Sequence, residues 1–202
     1  MTPLTRRATI TYRNATPTQL EAGHRWYEEA HLIAASQAGT YDVSLEVAAG
    51  VLAALSPRLG WAPNVMLAER MLATSGTLTR GGLGRSLAQA RAVYAGEDPD
   101  RVLRGPKTNA FYYAIVTGGQ SGTPVIDRHA WDMLTGVRQA PPPSNGQYRK
   151  AAAVMVRAAE ILGQPVHAVQ ATTWLAHRRK FWNEGAFDLT ARKPMLEGAA
   201  SW

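Results

Sequence analysis

Residues 103–118 read LRGPKTNAFYYAIVTG, and the parsing of that stretch decides the fold. Arg104-Gly105-Pro106 cannot continue a helix, because proline lacks the N–H and clashes with the preceding turn. NAFYYAIV behind it is an apolar run closed by Thr117-Gly118, which reads as a helix. Lys107 and Thr108 therefore stand at a helix mouth, where backbone N–H groups have no intrahelical partner and favour an anion such as phosphate. Gly105 removes side-chain bulk at the same place, so a nucleic-acid backbone can come close. Twenty residues on, PVIDRHAWDMLTG (124–136) repeats the design. An apolar Pro124-Val125-Ile126 leads into Asp127 at an N-cap position, and Gly136 ends the short helix.

Outward from these two helix starts, the chain keeps a helical period. TPTQLEAGHRWYEEAHLIAASQ opens on Thr16 or Thr18 as cap. SLEVAAGVLAALS opens on Ser44 and stops at Pro57; APNVMLAERMLAT and GGLGRSLAQARAVYAG follow, each ending near a glycine. Two longer runs, QYRKAAAVMVRAAEILG and PVHAVQATTWLAHRRKFW, complete the series. Only ATITYR, residues 8–13, alternates as a strand would. QAPPPSNG at 139–146 is the proline-rich loop, read as a joint between lobes, and the tail after Phe187 carries no ordered pattern. The expectation is an all-α, two-lobed domain over 1–202. Its central lobe is about 44–136; helices in 1–43 and 146–187 complete the second lobe, and 188–202 form a tail.

Composition narrows the function classes. A chain of 202 residues is long enough to bury a core, and 46% hydrophobic with 18% charged residues is ordinary for a globular protein. No apolar run has membrane-spanning length and no signal-peptide pattern opens the chain, which gives a cytoplasmic expectation with no membrane partner. The absence of cysteine excludes thiolate zinc sites and cysteine-held iron–sulfur clusters. Charge is uneven: residues 1–100 balance nine Lys/Arg against nine Asp/Glu, whereas 101–202 set thirteen against six and hold the whole excess of +7. A basic half of this kind suits a phosphate-backbone binder, with plain solubility as the competing reading.

The run from SLEVAAGVLAALSPRLGWAPNVMLAERML through LRGPKTNAFYYAI to PVIDRHAWDMLTG resembles the helix-hairpin-helix (HhH-GPD) superfamily of base-excision DNA glycosylases. The resemblance covers roughly residues 44–136. It implies an all-α, two-lobed fold with a hairpin gripping the DNA backbone, and a catalytic aspartate that VIDRHAWDML places at Asp127. Lys107 in GPKT falls where the bifunctional branch, similar to endonuclease III, carries its nucleophilic lysine. LSPRLGWAPN matches the loop pushed into the duplex beside the extruded base, with Arg58 as its wedge. The hairpin departs from the family pattern: LRGPKT keeps a single glycine and is two residues shorter between Leu103 and Lys107. Such a departure points to an unusual substrate, which extends to the hypermodified bases of viral DNA.

The implied chemistry assigns roles. Breaking an N-glycosidic bond builds positive charge on the sugar, which the Asp127 carboxylate would stabilise. A Lys107 amine would attack the anomeric carbon and form a Schiff base that leads to strand cleavage; without it, Asp127 would assist a water and leave an abasic site. The extruded base needs aromatic and polar walls, for which Trp61, Asn64, Tyr112, His129, Trp131 and Trp174 are the candidates. Core packing is the competing role for each of the aromatic residues. Arg58, Arg104, Gly105, Thr108, Arg128, Arg149, Lys150, Arg178, Arg179 and Lys180 are the expected DNA contacts. His24, Glu28 and His31 share a helix face, but a solvated face explains them better than a metal, so neither metal nor cofactor is expected. The partner is double-stranded DNA with a damaged or modified base, bound by a monomer. Two other readings stay open: a non-catalytic helix-hairpin-helix DNA-binding module, in which Asp127 is only a cap, and a related enzyme that remodels a modified base.

Overall fold

The computed structural model describes residues 1–138 and 140–182. Those residues form ten helices and no strand: α1 (Pro3–Arg13), α2 (Pro17–Tyr41), α3 (Leu45–Leu55), α4 (Trp61–Ala73), α5 (Gly84–Tyr94), α6 (Pro99–Val102), α7 (Pro106–Val116), α8 (Arg128–Thr135), α9 (Asn145–Leu162) and α10 (Val166–Trp182). Local chemistry sets the starts. Thr16 and Ser144 each build a full capping box with a glutamine three residues on, and Ser44 accepts from the Val47 N–H. None of the single helices is long and apolar enough to cross a membrane.

ATITYR is helical, not a strand: it lies inside α1. Thr2 caps that helix, Pro3 occupies its first turn, and Thr5, Ala8, Thr9 and Tyr12 are the buried positions. Those positions repeat at helical spacing, so burying one helix face outweighs the strand preference of two β-branched threonines and an isoleucine.

The apolar side chains gather in two clusters. One is built mainly on α2, α3, α4, α5 and α7, with Leu52, Leu55, Met71, Leu72 and Ile115 at its centre. The other joins α1, α8, α9 and α10 around Ile126, Leu134, Met155 and Val169. The segment between α7 and α8 passes between them: Val125 belongs to the first cluster and its neighbour Ile126 to the second. On α10 the same division separates Ala171 from Val169. Asp127 follows directly on that seam.

Two close crossings hold these helices, and the first of them lies at the seam. A Cβ on Gly23 of α2 would lie 2.7 Å from the Thr172 backbone, so α2 and α10 pack nearly backbone to backbone there. Gly50 of α3 instead makes room for the Val93 side chain of α5 within the first cluster. The first crossing brings Trp26 and Tyr27, one turn further along α2, against the face of α10 that carries Gln170 and Trp174. A short helix, a three-residue turn and a second helix then place α6, residues 103–105 and α7 on the first cluster. Gln89 donates to the Val102 carbonyl at 2.7 Å, and Asp100 accepts from both Asn109 and Tyr113, which clamps the turn.

Candidate functional site

Asp127 is the N-cap of α8, with extended backbone (φ −89°, ψ −175°), and its two carboxylate oxygens have separate tasks. Oδ1 accepts from the Ala130 N–H at 2.8 Å, the ordinary capping bond. Oδ2 accepts from the Trp174 indole N–H at 2.9 Å, across from α10. Capping alone needs only the first of these. The second ties the carboxylate to the opposite wall and fixes its rotation. Behind it, the Tyr148 hydroxyl of α9 accepts from the Ile126 N–H at 3.2 Å and donates to the Pro124 carbonyl at 3.4 Å, pinning the approach to the cap.

The charge of Asp127 is felt on five helices. Lys107 of α7 is pushed below the usual lysine range by loss of solvation, and the Asp127 carboxylate partly opposes that shift. Burial likewise lowers His129 and Arg178, again with Asp127 opposing. Tyr27 is raised well above its usual range and Tyr148 is raised too, both first by burial and further by Asp127. Lys107 and Asp127 thus lie within electrostatic reach of each other. No ion pair joins them among the described residues.

An aromatic wall flanks the carboxylate. Trp26 stands between Trp61 and Trp174, with ring centroids 6.0 and 5.1 Å away, and Trp61 meets Phe111 edge-on at 6.2 Å. His129 meets Trp174 edge-on at 6.3 Å, and the Arg178 guanidinium lies 4.5 Å from the Trp174 ring centroid. Of the base-pocket candidates, Trp61, His129 and Trp174 are therefore brought together.

The other three stand elsewhere. Asn64 is buried at 2% exposure and donates to the Leu52 carbonyl at 3.1 Å, locking α4 to α3. Tyr112 is buried in the first cluster, edge-on to Tyr113, and burial, with Glu46, Tyr113, Asp100 and Asp98, pushes its pKa up to about 12. Trp131 packs against the second cluster. Sequence spacing places a residue on a helix but not on a face, and these three occupy faces turned to the core. Trp26, Tyr27, Phe111, Tyr148 and Gln170 also meet around this site, and none of them is among the sequence candidates. Trp26-Tyr27 had a visible signal, since an aromatic pair on an amphipathic helix cannot put both rings in one place.

The expected DNA contacts divide in the same manner. Arg58 is exposed in the α3–α4 turn, just before Trp61, with φ of +64°. A non-glycine residue there is strained, and such strain gathers at functional turns. Arg104 is exposed and its Nε donates to the Arg101 carbonyl at 2.8 Å. Gly105 is the N-cap of α7 without a side-chain cap bond, and Thr108 is part-buried in the first turn. Arg128, Arg149 and Lys150 are exposed. The side chains of Arg179 and Lys180, and the tail at 188–202, lie outside the described residues.

His24 bonds the Tyr12 hydroxyl at 2.9 Å, while His31 Nδ1 meets the Ile115 and Val116 carbonyls. Among the described residues no cluster of His, Cys, Asp and Glu could hold a metal ion.

Residues 1–181 match the profile of a family of unknown function, DUF7178. The chain belongs to that family. No curated protein and no solved structure matches it.

Proposed function

We propose that this DUF7178 protein is a DNA glycosylase that flips a damaged or modified base out of the duplex and cleaves its N-glycosidic bond. One observation carries the reading: a carboxylate anchored from two sides, with a part-buried lysine in its electrostatic reach, beside a wall of three indoles. A glycosidic bond breaks by building positive charge at the sugar, and a fixed anion stabilises that charge without reorganising. The indoles offer stacking surface to a base that has left the helix. Arg58, Arg104, Arg128, Arg149 and Lys150 supply exposed positive charge for the backbone.

Two product outcomes follow from Lys107. Its amine, when neutral, attacks C1′ as the C1′–N bond breaks; the base leaves with the electron pair and a proton, and the sugar ring opens to a Schiff base. If water attacks instead, the product is an intact strand with an abasic site. Mass spectrometry of bases released from duplexes carrying oxidised, alkylated, deaminated and virus-type hypermodified bases tests the proposal. Release of one base class, lost in Asp127→Asn, supports it. Binding without release from any duplex favours the DNA-binding module, and a base altered but still attached favours a remodelling enzyme.

A further inference from the structure

Tyr27 and Gln170 form a buried pair beside the Asp127 site that none of the roles above uses. The Tyr27 hydroxyl donates to Gln170 Oε1 at 2.7 Å, and the two residues are 3% and 4% exposed. A bond between buried side chains on α2 and α10 could be no more than a crossing device. Its location argues for more. Tyr27 stacks edge-on with Phe111, which lies one turn from Lys107 on α7. Gln170 lies one turn from Trp174 on α10, so it shares the face that holds the Asp127 carboxylate. The Tyr27 phenol itself senses the Asp127 charge.

The chemistry of the amide then becomes specific. Tyr27 occupies the oxygen and thereby orients the group, leaving the Nε2 donors, which make no hydrogen bond among the described residues. A buried donor held in place rewards an acceptor and penalises another donor. We propose that Gln170, oriented by Tyr27, is a specificity residue that donates to an oxo group on the base lodged against the aromatic wall. The inference rests on the reading that this site receives a base. It narrows the substrate to bases with a carbonyl acceptor where adenine or cytosine carries an amino group.

Matched duplexes that differ only in this group provide the test: hypoxanthine against adenine, and uracil against cytosine, at one position. Affinity is measured in the Asp127→Asn background, where chemistry is not needed, and base release is measured with Asp127 intact. The oxo member should bind about tenfold or more tightly than the amino member. Gln170→Ala should flatten that ratio, Gln170→Glu should invert it, and Tyr27→Phe should move it toward unity. Tyr27→Phe also controls for folding, since it removes one hydroxyl and keeps the ring. Ratios that do not respond to either Gln170 substitution, or no oxo preference in the parent, overturn the inference. Base release with an unresponsive ratio would sink only the role of Gln170. A responsive ratio without release from any duplex would leave Gln170 as a base reader and remove the glycosylase.

Discussion

The starts of α7 and α8 lie within electrostatic reach of each other and are built in opposite ways. α8 opens on Asp127, whose side chain closes an N–H of the first turn and whose other oxygen reaches Trp174. α7 opens on Gly105-Pro106-Lys107 with no side-chain cap at all. A start with a bonded carboxylate brings fixed negative charge to the seam. A start with none keeps its N–H groups for another anion and sets a lysine beside them. On the glycosylase reading proposed above, Asp127 would supply the anion beneath the sugar and the open α7 start the contact for a phosphate.

The largest effect tests the α8 half. Asp127→Asn retains the size, and the amide oxygen can still cap α8, so the melting temperature should hardly change. Loss of the charge should slow base release a hundredfold or more, on the order of 3 kcal/mol of barrier, in a single-turnover assay on the true substrate. Normal turnover would break the comparison outright. Unfolding would make Asp127 a structural cap and move the binding module ahead.

Next in size is Lys107 at the α7 start. If it is the nucleophile, borohydride trapping of an abasic sugar should vanish in Lys107→Ala. Only the neutral amine attacks, and desolvation moves its pKa below the ordinary lysine value. Trapping should therefore rise with pH through a midpoint below that of a free lysine. The same shift fixes a stability sign: over the window between the folded and unfolded pKa values the unfolded chain binds more protons, so stability rises with pH there. Lys107→Met should flatten that rise and leave the melting temperature at neutral pH unchanged or higher. A trapping midpoint at the ordinary value would remove the nucleophile role and leave Lys107 as a backbone contact.

These two residues were legible in the sequence because their signals are local. A glycine-proline break must precede a helix start, and Asp after an apolar triplet is among the best caps, so 103–118 and 124–136 locate both side chains without a tertiary contact. Eight of the ten helices, and the caps at Thr16 and Ser44, were legible for the same reason; α1 and the one-turn α6 were not. What the chain order hid is pairing across the seam. Nothing in HRWYEE says that Trp26 and Tyr27 turn toward α10; Gly23 against Thr172 decides it, and that crossing joins residues about 150 apart. For the converse reason Tyr112, Trp131 and Asn64 read as pocket candidates from composition, while the structure packs each against a core or a neighbouring helix. ATITYR failed because alternation over six residues also fits a helix whose buried positions fall three and four apart.

A smaller effect separates Trp174 the wall from Trp174 the anchor. Trp174→Phe keeps an aromatic ring beside Trp26 but deletes the donor to Asp127 Oδ2, so the carboxylate loses one of its two fixed partners. A hydrogen bond to a charged group is worth about 1.5–3 kcal/mol, so release should slow by about tenfold or more while affinity for substrate DNA holds. Trp174→Ala should lose affinity too, through the stacking surface. Equal effects of Phe and Ala on both readouts would assign Trp174 to packing alone.

The smallest expected effect is the cleanest test of the contrast, because it gives α7 the cap that α8 has. Gly105 has φ of −71°, and a Cβ there would meet only Thr108 Oγ1 at 3.5 Å, an ordinary contact. Serine therefore fits without strain, and its hydroxyl can accept from a first-turn N–H. At an N-cap this replacement is worth a few tenths of a kcal/mol, so Gly105→Ser should raise the melting temperature slightly. If the open α7 start is where a DNA phosphate sits, the same hydroxyl takes an N–H from the phosphate and adds bulk in its path. Duplex affinity should then fall a few-fold, and the dependence of log affinity on log salt should become shallower, by at most about 0.9 if one phosphate contact is lost. The two readouts move in opposite directions only if the missing cap serves a ligand. A more stable protein with unchanged affinity and salt slope would show that α7 is uncapped for no purpose of binding.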